Sequence, residues 1–380
     1  MTYDITDQLR SSCSDAAQKL YDHIINYVDE QGALRGPDSG VRWNLRVGRF
    51  VKSYLPFISW GDSERYFVQA QAYWIFSNVA LQERTGDAKY LNTAHTCGEV
   101  LLNRQSPEGY WVYDDAGWSG RISSVDGCFG SLGLLRLFRM TKDPRYLDAA
   151  IRWYEYMTNR VGFQKLDEES ASLRYFANYG RGMVPNNSTF CLWLLGELKG
   201  ATGDDRFIEH SPKLLNFLGR CQTKSGEFPY SIKTEEGYGR DHYLCFQYHA
   251  FQFLDLARYY EITKCERVRA IMAKVTNFLS GGLIKNGDAR FNCFKTRPMV
   301  PYYTAVVSAA LLSASRLGIG DYSYLAERGL SRLISLQHRD GGFDYSTGNY
   351  LILKDRRSYP RMQAMILRHL LLCAFGEVAS

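Results

Sequence analysis

Apolar positions recur along the chain in stretches of helical length, and two kinds of polar segment alternate between them. The stretches ERYFVQAQAYWIFSNVAL and YLNTAHTCGEVLL stand on either side of a short segment, TGDAKYL, which begins at Thr85. Similar segments begin at Thr141, Thr202 and Thr263, and a degenerate copy begins at Gly318. The interval of about 56 to 61 residues holds two helices and their connections, so the pattern predicts a chain of repeated helical hairpins.

The short segments are predicted to be tight turns between antiparallel helices. In the T-G/K-D copies, the Asp can accept hydrogen bonds from free amides at the start of the next helix. The Gly or Lys before it suits the end of the preceding helix. We therefore assign these turns a structural role and no chemistry.

The segments that lead into the next repeat are longer and rich in glycine, aromatic and charged residues. Examples are GYWVYDDAGWSGRISSVDG, LRYFANYGRGMVPNNS and GGFDYSTGNYLILKDRRSYP. All of them fall on one side of the hairpin alternation, opposite the short turns. Loops of that length in a compact fold are commonly functional, so the sequence predicts one plain face and one elaborated face.

The helices that follow the long segments, such as STFCLWLLGEL and YTAVVSAALLSASRL, are more apolar or richer in small residues than those that follow the short turns. This contrast predicts six buried inner helices inside a more polar outer ring, to which the N-terminal AAQKLYDHIINYV contributes an outer helix. The sequence therefore predicts an all-α fold, a single (α/α)6 toroid domain over residues 1–380. The ring is closed so that no repeat leaves its apolar face bare.

A second motif recurs where an outer helix ends: a glutamine, three residues, a glycine, one residue and an aromatic. It reads QSPEGYW from Gln105, QTKSGEF from Gln222 and QHRDGGF from Gln337. The glutamine side chain can bond backbone groups at a helix end, and the aromatic ring can stack over the glycine. We expect the motif to hold one hairpin against the next, so it informs about the fold and not about the reaction.

This Q-x-x-x-G-x-W/F motif resembles the QW repeat of squalene-hopene and related terpenoid cyclases, whose toroid is shared by protein prenyltransferases. The resemblance implies the toroid and an isoprenoid chemistry. In VYDD, Val112 stands where the D-x-D-D motif of the cyclases has its first Asp. The string SVDGCFG places Asp126 and Cys128 as the prenyltransferases place two zinc ligands, but His242 lies two repeats later, out of register. We therefore expect no metal and no other cofactor.

Composition narrows the partners. The net charge of +6 comes from interspersed Lys and Arg, which argues against a nucleic-acid partner and a polybasic membrane anchor. No apolar stretch is long enough to span a membrane, and MTYDITDQLR lacks the pattern of a signal peptide, so we expect a cytoplasmic protein.

The nine cysteines are scattered singly and are predicted to be buried thiols. The 27 tyrosines favour a lined cavity. The oligomeric state stays open.

Arginines collect in the long segments, and the predicted ring directs several of them to one mouth. An anion, carboxylate or phosphate, is the expected occupant because Arg binds either through two parallel bonds. The alternative is that they pair with aspartates such as Asp114, Asp115 and Asp241 to hold the loops. The arginines and their polar or aromatic neighbours that we predict to bind substrate are Arg121, Arg181, Arg297, Arg357, Asn186, Asn187, Trp118, Tyr179, Tyr302 and Tyr359.

This set of Asn, His, Tyr and Arg is similar to the working set of α/α-toroid polysaccharide lyases. The resemblance implies that Asn or Arg neutralises a uronate carboxylate, that His or Tyr removes the proton at C5, and that Tyr protonates the leaving oxygen. A positioned base of this kind contributes roughly 10² to 10⁴ in rate. The predicted catalytic residues are His242, Tyr243 and His249 in the stretch DHYLCFQYH, together with Asp126 and Asp241.

The sequence thus predicts an enzyme that acts on an anionic, uronate-type oligo- or polysaccharide by lyase or epimerase chemistry, in polysaccharide processing or biosynthesis. Three alternatives stay open. A glycoside hydrolase would use paired aspartates from the same loops. A terpenoid cyclase-like or prenyltransferase-like enzyme would take an isoprenoid diphosphate. A binding toroid would use rim aromatics such as Trp111, Trp118 and Tyr230.

Overall fold

The computed structural model describes residues 4–38, 47–55, 63–114, 117–118, 120–235, 237, 239 and 245–376. Alternating inner and outer helices fill most of these ranges. The helices are α1 (Asp7–Ile24), α2 (Val47–Tyr54), α3 (Val68–Thr85), α4 (Ala88–Arg104), α5 (Ser124–Thr141), α6 (Pro144–Tyr156), α7 (Pro185–Thr202), α8 (Ser211–Cys221), α9 (Cys245–Thr263), α10 (Glu266–Leu279), α11 (Pro301–Arg316), α12 (Ser323–Ser335) and α13 (Pro360–Phe375).

The six inner helices α3, α5, α7, α9, α11 and α13 form a closed ring. Each packs on the next, and α13 returns to pack on α3. The outer helices α4, α6, α8, α10 and α12 each pack on the inner helix before them, whereas α1 packs on α13. The structure therefore confirms the predicted all-α toroid, with the N-terminal helix completing the outer ring.

Three two-stranded antiparallel sheets lie in the long segments before the inner helices. Their strands are β1 (Gly36–Asp38) with β2 (Ser63–Arg65), β3 (Phe163–Lys165) with β4 (Ala171–Leu173), and β5 (Ser346–Asn349) with β6 (Leu353–Asp355). Further one-turn helices lie at Ile25–Tyr27 and Asp205–Ile208, and a π-turn lies at Met157–Val161. The strands therefore elaborate one end of the ring and do not enter its core.

The short segments are turns of the predicted kind. Asp87, Asp143 and Asp204 each accept a hydrogen bond of 2.9–3.0 Å from the backbone amide two residues further on, at the start of the next helix. Gly86 and Gly203 end the preceding helices in the left-handed conformation. These caps explain why the same letters recur at every such position.

The glutamine motif joins neighbouring outer helices. Gln105, Gln222 and Gln337 each donate two hydrogen bonds of 2.8–3.0 Å, one to the carbonyl of the motif's glycine and one to a carbonyl of the next outer helix. For Gln337 the next outer helix is α1, through the Ala16 carbonyl, so this contact closes the ring. A Cβ on Gly341 would lie 2.1 Å from the Lys19 carbonyl oxygen, which explains the glycine.

Most of the described cysteines are buried thiols, as predicted. Seven are free thiols, and all of these but Cys265 are buried. Cys293, in the long segment before α11, is disulfide-bonded, which the sequence analysis did not predict. Among the described helices, each is too short or too polar to cross a membrane.

Candidate active site at the mouth of the ring

The end of the ring at which the inner helices begin carries the long segments, and we call it the mouth. Three of the inner helices, α7, α11 and α13, begin with a proline, which lacks the N–H that a first turn leaves unpaired. The residues that precede these helices are extended, and the loops therefore lie next to one another at the mouth. Side chains from different repeats are thereby brought together.

Two arginines from neighbouring loops lie against aromatic rings at the mouth. The guanidinium carbon of Arg121 lies 3.6 Å from the ring centroid of Tyr179 and 4.6 Å from that of Trp118. The guanidinium carbon of Arg181 lies 4.4 Å from the centroid of Tyr175. Contacts this short are those of cation–π pairs. The aromatic–arginine cluster consists of Arg121, Arg181, Trp118, Tyr175, Phe176, Tyr179 and Tyr230.

Neither arginine of the cluster has a carboxylate partner within the described part of the chain. Nη2 of Arg181 donates to the hydroxyl of Tyr230 at 3.1 Å. Nη1 of Arg121 is buried and makes no hydrogen bond with a described residue. Cations held in this way attract an anion from solution. The cluster therefore differs from loops that are fastened by Arg–Asp pairs.

Other arginines at the mouth are paired. Arg357 forms an ion pair with the buried Asp355, with Nε 2.6 Å from Oδ1, and also contacts the hydroxyl of Tyr359. Arg361 pairs with Asp38 at 3.1 Å, and both side chains are buried. For these two arginines the structure supports the alternative of loop-holding pairs. The buried Tyr359 belongs to the same paired group.

The remaining predicted binding residues are distributed around the mouth. Arg297 is exposed, and its Nη1 donates to the Leu351 carbonyl at 2.7 Å. Tyr302 is buried and meets Tyr303 edge-to-face, with ring centroids 4.6 Å apart. Tyr179 is the most exposed ring of the cluster, at 48%. These positions leave Arg297 and Tyr302 outside the aromatic–arginine cluster.

Asn186 and Asn187 occupy the first turn of α7. Asn187 is fully buried, and its Nδ2 donates a long bond of 3.5 Å to the Leu173 carbonyl. The side-chain oxygens of both residues are buried and accept no hydrogen bond from the described residues. Buried amide oxygens are normally satisfied, so water or a ligand hydroxyl is the expected donor.

The predicted catalytic residues fall into two groups. Asp241, His242 and Tyr243 lie outside the described residues. His249 is buried, with Nε2 accepting the Phe228 amide and its ring 4.9 Å from that of Phe278 on the outer helix α10. Asp126 is fully buried, and its Oδ1 accepts the Gln69 amide at the start of α3 at 3.3 Å. These contacts give His249 and Asp126 packing and capping roles.

A cavity of about 90 Å³ lies between the inner helices, from their middle towards the end of the ring that carries the short turns. Asp255 on α9 lines it and is fully buried. Burial raises the pKa of Asp255 to about 8, while the hydroxyl of Thr189, which donates to it at 2.8 Å, acts in the opposite direction. Asp255 is therefore mostly protonated at neutral pH and can serve as a proton donor.

Tyr73 and His369 line the same cavity, with ring centroids 6.2 Å apart. Burial and the nearby carboxyl of Asp255 raise the pKa of Tyr73, and Tyr302 at the mouth adds to the increase. The charges of Asp255 and Tyr302 thus influence Tyr73. Sequence reasoning missed these residues. The signal was a charged residue within an apolar inner helix, FQFLDLARYY.

The floor of the cavity is charged. Arg258 pairs with Glu197 at 3.3 Å and with Glu261 at 2.7 Å, and Arg139 also pairs with Glu197. All of these side chains are largely buried in the end of the ring that carries the short turns. Of these, Arg258 and Glu261 line the cavity at the end of the ring that carries the short turns, where Arg316 and Arg368 also line it.

Comparison with known proteins identifies the fold. A sugar epimerase from a ruminal bacterium superimposes with a TM-score of 0.70 and 14% identity over 94% of this chain and 98% of its own. An α-1,6-mannanase from Salegentibacter superimposes with a TM-score of 0.69 and 14% identity over 96% of this chain and 100% of its own. An unsaturated glucuronyl hydrolase from Streptococcus agalactiae superimposes with a TM-score of 0.63 and 13% identity over 100% of this chain and 94% of its own.

No protein-family model and no curated protein sequence matches the chain. The chain shares the α/α-toroid fold of these three proteins, which by their names act on carbohydrates. The similarity to terpenoid cyclases stays a sequence-based prediction.

Proposed function

We propose that the protein is an enzyme that acts on an anionic, uronate-type oligo- or polysaccharide, by abstracting the proton next to the carboxylate as a lyase or an epimerase. The observation that supports this most is the position of Arg121 and Arg181 at the mouth, on aromatic faces and without a carboxylate partner among the described residues. The same fold in a sugar epimerase and an unsaturated glucuronyl hydrolase supports a sugar substrate.

In this proposal the two arginines bind and neutralise the uronate carboxylate, which makes the neighbouring C–H more acidic. Tyr179, which is 48% exposed, offers an aromatic surface on which a sugar ring can stack, and Trp118 packs against it. The oxygens of Asn186 and Asn187 accept hydroxyl protons of the sugar, which would satisfy them. The rim therefore binds the substrate and fixes its orientation.

The base and the acid come from different depths of the ring. His242 and Tyr243 keep the role of base that the sequence predicts for them. Tyr73 carries its phenolic proton at neutral pH, and in this proposal it protonates the leaving oxygen of a substrate that reaches the cavity. In a lyase the abstracted proton and the departing glycosyl oxygen leave a C4=C5 double bond. In an epimerase the proton returns to the opposite face.

The test is to incubate the protein with a panel of uronate-containing glycans. A lyase produces ultraviolet absorbance from the new double bond, and an epimerase incorporates solvent deuterium at the reacting carbon. Arg121→Ala should raise KM about 10- to 100-fold, because one charged pair with the substrate is lost. Arg206→Ala, an exposed arginine at a short turn, is the matched control and should leave KM unchanged.

Two outcomes would replace the proposal. Turnover of a prenyl diphosphate, with neither absorbance nor deuterium incorporation from any glycan, would favour the isoprenoid alternative. Release of reducing sugar without absorbance or deuterium incorporation would indicate a glycoside hydrolase. The raised pKa of Asp255 is the observation that favours that second candidate, since a glycosidase acid must be protonated at its working pH.

A further inference from the structure

The turn of the β5–β6 hairpin is made of large apolar residues. Tyr350, Leu351 and Ile352 are 50%, 71% and 84% exposed. Tyr350 and Leu351 adopt φ angles of +48° and +78°, a region that favours Gly or Asn. A turn of this type is expected to be polar and glycine-containing. This turn therefore combines a strained backbone with exposed apolar side chains.

Two neighbouring segments add to this surface. The ring of Phe50 on α2 meets that of Tyr350 edge-on at 5.2 Å and stacks on Tyr54 at 5.9 Å. The segment before α11 is attached to the same hairpin, because Arg297 donates to the Leu351 carbonyl at 2.7 Å. That segment also carries Phe294, which is 75% exposed.

We call these six side chains the apolar tip: Phe50, Tyr54, Phe294, Tyr350, Leu351 and Ile352. They are six of the eleven large hydrophobic side chains that are exposed in the described ranges. Such a cluster differs from the single exposed apolar residues that any surface has, and it marks an interaction site.

The surroundings of the apolar tip are basic. Lys295, Arg297, Lys354 and Arg356 are exposed in the same segments. Residues 47–54 and 291–299 contain no acidic residue, and residues 346–357 contain one, Asp355. Asp355 is buried and neutralised by Arg357. The tip thus combines projecting apolar side chains with a collar of positive charge.

We propose that the apolar tip docks the protein on an anionic lipid membrane as a peripheral contact. Apolar and aromatic side chains enter the interface between headgroups and acyl chains, while lysines and arginines bind anionic headgroups. Reversible binding generally needs both signals, and both are present here. The tip belongs to the mouth end of the ring, so a docked molecule directs its mouth towards the lipid surface.

The test measures co-sedimentation of the full chain with vesicles of phosphatidylcholine alone and with roughly one-quarter phosphatidylglycerol. Wild type should bind the anionic vesicles, and high salt should weaken that binding. Leu351→Ser with Ile352→Ser should lower partitioning roughly tenfold or more, because two apolar side chains lose their burial in lipid. Lys354→Glu with Arg356→Glu should remove the preference for anionic vesicles.

Tyr324→Ser is the matched control, because Tyr324 is 62% exposed but lies on the outer helix α12, away from the apolar tip. It should bind like wild type. A second measurement uses Ile352→Trp, whose fluorescence should shift to the blue with anionic vesicles, whereas that of Tyr324→Trp should not. The altered residues are exposed, so circular dichroism should show unchanged folding.

Equal partitioning of wild type and the Leu351→Ser/Ile352→Ser variant would overturn the proposal, as would a failure of wild type to bind either kind of vesicle. Light scattering distinguishes the remaining occupant, a second copy of the chain. If the same double variant converts a dimer to a monomer and vesicles bind neither protein, the tip is an interface between copies and the membrane proposal is wrong. None of these results depends on the proposed catalytic activity.

Discussion

Replacing Gly341 with alanine tests whether the glutamine motif allows outer helices to dock closely. Gly341 has φ +89°, and alanine in a left-handed conformation costs about 1–2 kcal/mol. Its Cβ would also lie 2.1 Å from the carbonyl oxygen of Lys19 in α1, so two backbone segments must separate. Such overpacking costs about 1–3 kcal/mol. Gly341→Ala should therefore lower the free energy of unfolding by about 2–5 kcal/mol.

Gly86→Ala is the matched control. Gly86 has φ +72°, but nothing lies within 4 Å of a Cβ placed there. Only the conformational cost of about 1–2 kcal/mol should remain. Urea unfolding of both variants, followed by circular dichroism, gives the two free energies. If they agree within about 0.5 kcal/mol, the close approach of α12 and α1 contributes nothing and the reasoning is refuted.

Three further predictions follow from the structure. Gln337→Ala should lower the free energy of unfolding by about 1–3 kcal/mol, because two hydrogen bonds are lost. The control Gln8→Ala changes an exposed glutamine and should not lower it. Equal free energies of unfolding for the two variants would contradict the ring-closing role of Gln337. Asp255 binds its proton more tightly in the folded protein, with a pKa of about 8 against an ordinary 3.8. The free energy of unfolding of wild type should therefore fall by up to about 5 kcal/mol relative to that of Asp255→Asn as the pH rises from about 4 towards 8. Urea titrations of both proteins across that range would contradict this if the difference between their free energies of unfolding stayed constant. Trp118→Ala should raise the Kd for a uronate oligosaccharide roughly tenfold in calorimetry, with Tyr324→Ala as the unaffected control; unchanged affinity would exclude stacking at the cluster.

The fold was predictable because its signals are local and repeated. Each T-G/K-D turn caps a helix within a few residues, so the same letters recur wherever the same turn is needed. A glycine that lets an outer helix approach closely occurs in more repeats than the motif glutamine does. A Cβ on Gly287 would lie 2.4 Å from the Arg328 carbonyl oxygen of the next outer helix, although no motif glutamine precedes it. Docking of the helices therefore requires the glycine more strictly than the glutamine.

The candidate site was predictable only in part. The sequence indicated that arginines gather at the mouth, and it left open whether they pair with aspartates. Arg357 and Arg361 do, while Arg121 and Arg181 lie on aromatic rings. That choice depends on which loops become neighbours across the ring. Asp355 lies in the same loop as Arg357, but Asp38 is far from Arg361 in the chain, so a single sequence does not show which arginines are paired.

Residues inside the ring were missed for a similar reason. Asp255 is one polar residue in an apolar helix, and its pKa is raised because the packed inner helices bury it. The same holds for the apolar tip, in which Phe50 and Tyr350 are about 300 residues apart in the chain and 5.2 Å apart as rings.

The sequence by itself determined the helical hairpins, their turns and the glutamine contacts, because each depends on hydrogen bonds and periodicity within a short segment. Tertiary structure alone decided which charges are paired, which carboxyl holds its proton and which apolar side chains stay in water. These properties depend on distance and on exclusion of water between residues far apart in the chain. They arise only when the ring closes.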